Sequence, residues 1–241
     1  MQPRANSLFH FTKSIDFLQK ILGNGFYPRY CPEDSSLIKC DEIAHPMVCF
    51  CDIPISRISE HTRFYGEYGI GLSKDWAIRN NLHPVIYSHE TGPVAELMNF
   101  ILDEPLNCDH CNEEHKPTSL EVFFDKLFPF LKPLAGTMRV YGELKQKEFY
   151  QENEWRYVPN KFEMLIGEED IKNRTNDMNV LQESEPLTFK PEDIKYIFVK
   201  NDTEIPIIFD FINESLKVSN PNDAKILSTK IVSLETLISD V

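Results

Sequence analysis

Short apolar segments with strand-like patterns lie between segments with helical spacing along most of the chain. The aromatic run at residues 8–11 predicts a strand, and Ile15, Leu18 and Leu22 recur at helical spacing behind Ser14, a residue type that caps helices. Strands and helices follow in no regular alternation. This order predicts an α+β fold with a mixed, mostly antiparallel central sheet and peripheral helices, rather than a doubly wound parallel sheet.

The same patterns predict the remaining elements. Strands are expected at residues 46–51, 65–72, 85–87, 138–144, 155–159 and 196–199, and helices at 55–64, 73–80, 94–102, 120–131 and 205–216. The stretches 33–45 and 103–117 lack a clear period and are expected to be loops. The strands at 138–144, 155–159 and 196–199 are expected to share a sheet. A flexible tail is expected from about residue 218, with a weak amphipathic segment from Ile226 onward.

Composition limits the class of protein. The 241 residues, 41% of them hydrophobic and 12% aromatic, fit one domain over residues 1–241 and argue against disorder. The longest apolar runs are far shorter than the ~20 residues that span a bilayer, and the N-terminus does not resemble a signal peptide. We therefore expect a cytoplasmic protein without membrane contact. The net charge of −13 disfavours bulk attraction to nucleic acid or anionic lipid and favours basic partners.

The first candidate site is the C-x-x-C pair Cys108 and Cys111. Two thiolates at this spacing can share one zinc ion, but a structural zinc site needs four ligands. Further ligands would have to come from Cys31, Cys40, His110 or His115. The alternative is a loop with two incidental thiols, which is the more common situation for a single pair.

The second candidate site is the carboxylate pair Glu152 and Glu154. In an extended segment residues two apart project to one face, so both side chains can line a cleft while Trp155 packs behind them. Paired carboxylates serve acid/base chemistry or stabilise a cation. Arg156 is assigned to the opposite face with a structural role. The alternative for the pair is a solvated acidic edge.

Histidine and tyrosine side chains supply a third group of candidates. His10 lies between two phenylalanines, where a histidine is more often a hydrogen-bonded core residue than a catalyst. Tyr65 and Tyr68, with His61 nearby, alternate with glycines and either stack on a planar ligand or fill a sheet face. Glycines in this segment also indicate close approach of a ligand or of neighbouring backbone.

Five blocks of the sequence resemble the AbiGi family, which is described as the antitoxin component of bacterial abortive-infection systems against phage. The blocks are residues 8–12, 25–31, 47–54, 64–77 and 152–159. The resemblance implies a regulator in phage defence and a cognate toxin or other defence-system protein as its partner.

The same blocks are more distantly similar to the ADP-ribosyltransferase superfamily, including DarT-like toxins. That resemblance implies an ADP-ribosyltransferase-like fold and NAD as cofactor, with a protein or nucleic acid as the modified target. Matched by position, His10 would contact the nicotinamide ribose, with Thr12 in the same binding group, and Tyr65 or Tyr68 would stack on nicotinamide. Glu154 would stabilise the oxocarbenium-like transition state, and Glu152 would position the acceptor.

Two functions therefore stay open, a defence-system antitoxin that binds a partner and an active mono-ADP-ribosyltransferase. We favour the antitoxin with a transferase-like fold. For the transferase, Glu152 and Glu154 must line the same cleft as His10 and at least one of the two tyrosines. If Glu154 instead pairs with a buried arginine such as Arg29 or Arg139, the ion pair supports the sheet.

The C-x-x-C loop generates a first prediction. Any zinc in the protein is expected to be structural, held by Cys108 and Cys111 with two further ligands, because structural zinc contributes directly to folding. Metal analysis of the purified protein, followed by melting with a chelator, tests this. A metal-free preparation whose melting temperature is unchanged by chelator would rule it out.

Overall fold

A mixed, mostly antiparallel sheet forms the centre of the fold, as predicted. The computed structural model describes residues 6–33, 36–38, 42–103, 126–140, 143–216 and 220–240. The strands are β1 Ser7–Thr12, β2 Arg29–Glu33, β3 Ile43–Cys51, β4 Tyr68–Ser73, β5 His83–Pro84, β6 Ile86–Ser88, β7 Leu131–Pro133, β8 Ala135–Val140, β9 Glu143–Glu148, β10 Glu154–Tyr157, β11 Leu165–Ile166, β12 Ile194–Val199 and β13 Ile231–Ser233. Within the described ranges the main sheet has the order β13-β12-β4-β1-β3-β10-β5, and β2 and β11 pair with β3. Its β12–β13 pair is parallel and its other pairs are antiparallel.

Helices pack around this sheet. They are α1 Ile15–Asn24, α2 Ile58–Tyr65, α3 Lys74–Arg79, α4 Pro93–Asp103, α5 Glu168–Gln182, α6 Ile205–Asp210, α7 Pro221–Ser228 and α8 Leu234–Ser239. A π-helical turn, Phe211–Ser215, continues α6. No helix in the described part of the chain is both long enough and apolar enough to span a membrane.

The two faces of the sheet bury separate apolar cores. Leu8 of β1 packs with Leu18 of α1 and Trp76 of α3, and we call this side the α1 face. Phe9, its neighbour along β1, packs with Ile58 of α2 on the other side, the α2 face. Successive strand residues point to opposite faces, so the register of β1 decides which side chains enter each core.

Local capping signals in the sequence are confirmed. Ser14 caps α1 by accepting a hydrogen bond from the backbone N–H of Phe17 at 3.3 Å. Ser73 caps α3 in the same way, with 3.2 Å to the N–H of Trp76. Both caps satisfy one of the donors that the first helical turn leaves free.

Several predicted elements differ from the observed ones. Part of the predicted loop at 33–45 belongs to β2 and β3, and α5 was not predicted because its apolar residues have almost no periodicity. The register pairs Val140 with Glu143, so the predicted strand 138–144 is a hairpin, and it pairs outside the main sheet. The predicted helix at 120–131 is only partly described. Its last residues form a 3-10 turn, Phe128–Phe130, and the start of β7 at Leu131. Where the sequence predicts a weak tail, the structure has α7, β13 and α8, and β13 pairs with β12.

Close packing of β4 against β1 explains the glycines of β4. The sequence predicted that these glycines permit close approach of a ligand or of neighbouring backbone, and β1 is the neighbour that approaches. A Cβ atom added at Gly69 would lie 2.7 Å from the carbonyl oxygen of His10 and 2.7 Å from the ring of Phe11. One added at Gly71 would lie 3.0 Å from the ring of Phe9. The two rings occupy the space that side chains on β4 would otherwise fill.

A second prediction follows from this packing. Gly69→Val should destabilise the protein by ~1–3 kcal/mol despite the strand propensity of valine, because the new side chain overpacks against β1. Urea unfolding measures the change. Gly23→Ala is the control, since its added Cβ lies 3.9 Å from Phe211 and it should be neutral or stabilising. An unchanged or raised stability of Gly69→Val would contradict the close-approach account.

Candidate functional site

A cavity of about 880 Å³ lies over the α2 face of the sheet, next to the point where β1 pairs with β3 at Phe9 and Cys51. Four of the predicted site residues line it, namely His10, Tyr65, Glu152 and Glu154. The chain thus brings together side chains that lie up to 144 positions apart (154 − 10).

Two predicted site residues are not in the cavity lining. The Tyr68 hydroxyl donates a hydrogen bond to Glu204 at 2.9 Å, and its ring packs on the α1 face. Thr12 lies opposite Tyr68 in the β1–β4 pairing. Tyr65, which the sequence placed on the same strand as Tyr68, is instead the last residue of α2, before Gly66 with φ 117°. The helix end carries Tyr65 to the cavity.

Glu152 and Glu154 reach the cavity by a turn rather than by strand alternation. Glu152 ends a 3-10 turn, and Asn153 has the left-handed conformation, with φ 44°. Glu154 then begins β10 opposite Cys51 of β3. Both carboxylates are buried, each with 4% residual exposure.

Two cations neutralise Glu154. Arg156 Nε lies 2.6 Å from Oε1 of Glu154, and Lys132 Nζ lies 2.7 Å from Oε2. Arg156 also binds Glu33 at 2.6 Å and is itself fully buried. Burial alone would raise the pKa of Glu154, but Arg156 and Lys132 hold it well below its ordinary value of 4.5. The assignment of Arg156 to the opposite face is therefore wrong, because residues 154 and 156 are two apart on β10 and share a face.

Glu152 has a second set of partners. It forms an ion pair with Lys147 of β9 and accepts a hydrogen bond from the Tyr65 hydroxyl, while Lys132 is 3.8 Å away. Burial, followed by the charge of Glu152, raises the pKa of Tyr65 far above its ordinary value, so its hydroxyl keeps its proton. Burial lowers the pKa of Lys147.

His10 has the environment of a core histidine, although it touches the cavity. Its Nδ1 lies 2.9 Å from the carbonyl oxygen of Cys49, and its ring packs against Phe26 and Phe50. By strand alternation it projects towards the α1 face, whereas Glu154 belongs to the α2 face. Burial lowers the pKa of His10, which favours the neutral ring.

The sequence did not identify the cations of the site. Lys132 and Lys147 lie on β7 and β9, in a region where the predicted elements were a helix and one strand. Arg156 could have been placed beside Glu154 from their spacing alone. His61, noted with the tyrosines, stacks on Tyr65 with 4.4 Å between ring centroids, and burial lowers its pKa to about 3.

The chemistry open to this site follows from its charges and thiols. Glu33, Glu152 and Glu154 are matched by Lys132, Lys147 and Arg156, so each carboxylate of the site has a basic partner within the chain. The cavity thiols are protonated at neutral pH, since burial raises the pKa of Cys31 to about 11 and raises those of Cys49 and Cys51 well above the ordinary value. Ion-paired carboxylates and protonated thiols stabilise the fold of the site, and they are poor nucleophiles.

The described residues contain no group of three or more histidine, cysteine or acidic side chains arranged to hold a metal ion. Cys108 and Cys111 lie outside the described residues, so the zinc prediction stands as a prediction.

Comparison with known proteins identifies the family. Residues 24–200 match the family described as "Putative abortive phage resistance protein AbiGi, antitoxin". The chain is also 32% identical over 256 residues to the abortive phage resistance protein AbiGi of Lactococcus lactis subsp. cremoris, an alignment that covers 89% of this chain and 99% of that protein. The chain belongs to the AbiGi family. No solved structure matches it significantly. The family match includes β10 and most of the cavity lining, whereas His10 precedes it.

His45 is a buried polar residue of β3 in this AbiGi chain, and its ring lies 6.1 Å from that of Phe162, centroid to centroid. It has 0% exposure, and neither ring nitrogen has a hydrogen-bond partner within the described residues. It lies opposite Cys31 in the β2–β3 pairing. Burial, together with the positive charge of Arg156, lowers its pKa to about 4.

A third prediction concerns acid sensitivity. Because the folded pKa of His45 is below the unfolded value of 6.5, the stability from its neutral form is complete above pH 6.5 and is lost as the pH falls towards 4. Between pH 7.5 and 5.0 the wild type should lose about 2 kcal/mol more than His45→Leu. Urea unfolding at both values measures this, with exposed His89→Leu as the control. Equal losses in wild type and His45→Leu would contradict the assignment.

Proposed function

We propose that this protein is the antitoxin of a bacterial abortive-infection system against phage and that it acts by binding a cognate toxin. Membership of the AbiGi family carries the proposal, since the family description names phage resistance and an antitoxin. The match to an abortive phage resistance protein, which covers 89% of this chain and 99% of that protein, supports it.

The charge distribution fits a binding protein. The buried carboxylates of the cavity are neutralised by the chain's own lysines and arginine, so the net charge of −13 arises from the rest of the molecule. A strongly negative protein attracts basic partners and accelerates their encounter. We infer that the toxin presents a basic surface.

A fourth prediction tests this function in cells. Co-expression of the chain should restore growth to bacteria that produce the cognate toxin, and the two proteins should co-purify. Glu154→Gln should weaken protection only as far as it lowers the melting temperature, because Glu154 supports the sheet. Exposed Glu90→Gln serves as the control. Growth arrest by this chain alone, or protection without complex formation, would contradict toxin binding.

A second candidate function is NAD-dependent mono-ADP-ribosyl transfer within a transferase-like fold. The placement of Tyr65, Glu152 and Glu154 around one cavity favours it, whereas the His10 ring projects towards the opposite face of the sheet. The pairing of Glu154 with Arg156 and Lys132 counts against it, because a carboxylate that already neutralises two cations stabilises a developing cation less.

Calorimetric titration with NAD separates the two candidates. The transferase requires saturable binding that His10→Ala weakens, and turnover that Glu154→Gln abolishes in a protein that remains folded. Absence of heat at millimolar NAD would leave the antitoxin as the function.

A further inference from the structure

Lys147 lies in a socket formed by Phe64, Tyr65 and Glu152, which are side chains of the types that bind cations. Its ammonium pairs with the buried Glu152 and lies 3.2 Å from the Tyr65 hydroxyl oxygen. It also lies 4.1 Å from the ring centroid of Phe64 and 4.3 Å from that of Tyr65. A carboxylate flanked by aromatic faces is the arrangement that binds ammonium and guanidinium groups. Only 9% of the Lys147 side chain is exposed.

The socket and its occupant belong to different parts of the chain. Phe64 and Tyr65 lie on α2, and Glu152 lies in the turn before β10. Lys147 comes from the hairpin formed by β8 and β9, which pair only with each other among the described strands. A hydrogen bond from the Tyr150 N–H to the Leu134 carbonyl, at 3.3 Å, closes the base of the hairpin, and the Leu134 N–H donates to the Ser88 carbonyl of β6 at 3.0 Å.

The hairpin also covers the cavity. Thr137 and Met138 of β8 line the cavity, and Lys147 with its neighbour Gln146 borders a second cleft against α2. Lys132, the other lysine of the site, lies on β7, which pairs with β6 in a second two-stranded sheet, and its ammonium lies between Glu154 and the ring of Phe149. All three residues of β7 are buried, whereas the residues of β8 and β9 whose burial is described are exposed or half-buried, so Lys147 is the lysine of the site that lies on the more exposed element.

We propose that the socket formed by Phe64, Tyr65 and Glu152 is a receptor for a lysine or arginine side chain of a partner protein, and that Lys147 fills it while the hairpin covers the cavity. A partner's cation replaces Lys147 when the hairpin lifts. The ion pair between Glu152 and Lys147 is replaced by an ion pair between Glu152 and the partner's cation. Glu152 is therefore never left buried without a counter-charge. This inference deepens the proposed function, because the partner is the basic protein that the antitoxin binds.

Chemical rescue tests the socket on the full chain. Lys147→Ala should lower the melting temperature by roughly 5–10 °C, because it leaves Glu152 without its nearest cation. n-Butylammonium, which has the four carbons and the ammonium group of a lysine side chain, should restore most of that loss with saturation. Lys145→Ala, on the same hairpin at an exposed position, should show little loss and no saturable rescue. Sodium chloride at equal ionic strength controls for screening.

Two further measurements decide the outcome. Adding Glu152→Gln to Lys147→Ala should abolish rescue, and hydrogen exchange in β8 and β9 should be faster in Lys147→Gln than in Lys145→Gln. If Lys147→Ala does not fold, Lys147→Gln replaces it in the rescue experiment. Rescue no greater than that by sodium chloride, or unchanged hairpin exchange, would overturn the proposal. Rescue without toxin binding would reject the antitoxin function and leave the socket in place, whereas toxin binding without rescue would reject the socket alone.

Discussion

The buried ion-pair network around Arg156 is the interaction on which the site depends. A guanidinium with no solvent exposure must find its counter-charges inside the protein, and Arg156 finds them in Glu154 of its own strand and Glu33 of β2. That requirement fixes the position of β2 and β10 on the two sides of β3. Lys132 extends the network to β7, and through Glu152 it reaches the hairpin of β8 and β9. Ion pairs therefore align five segments, namely β2, β7, β9, the turn before β10, and β10, in addition to apolar packing.

Much of the sheet could be predicted from the sequence, because β1, β3, β4, β10 and β12 carry local signals. Alternation, caps at Ser14 and Ser73, and the glycines of β4 each depend on neighbours within a few residues. The sequence pattern could not distinguish the hairpin from one strand, since the residues at 138–144 alternate in sequence without a turn signal strong enough to mark a reversal, whereas the register pairs Val140 with Glu143. Helix α5 has mostly polar residues on all sides, so its sequence lacks the apolar stripe from which helices are predicted.

The candidate site was predictable only in part, for a related reason. The spacing of Glu152 and Glu154 indicated a shared cleft, and the cleft exists, but the lysines that neutralise them come from distant segments with no motif. A carboxylate pair has the same sequence signature whether it faces a substrate or a lysine. Its chemistry is decided by the partners that the tertiary fold supplies, which is why the structure favours a role in supporting the sheet over a catalytic one for Glu154.

The position of β12 has a consequence for how the protein is made. β4 lies between β1 and β12, so the N-terminal strands can pair with each other early in synthesis, while one edge of β4 waits for residues 194–199. Until then the edge is an open row of backbone donors and acceptors with a glycine-rich, flat surface, which is the type of edge that pairs between molecules. We therefore expect nascent or truncated chains that end before β12 to aggregate more readily than the full chain, so that a ribosome that stalls late in the message would leave a fragment with an unpaired sheet edge.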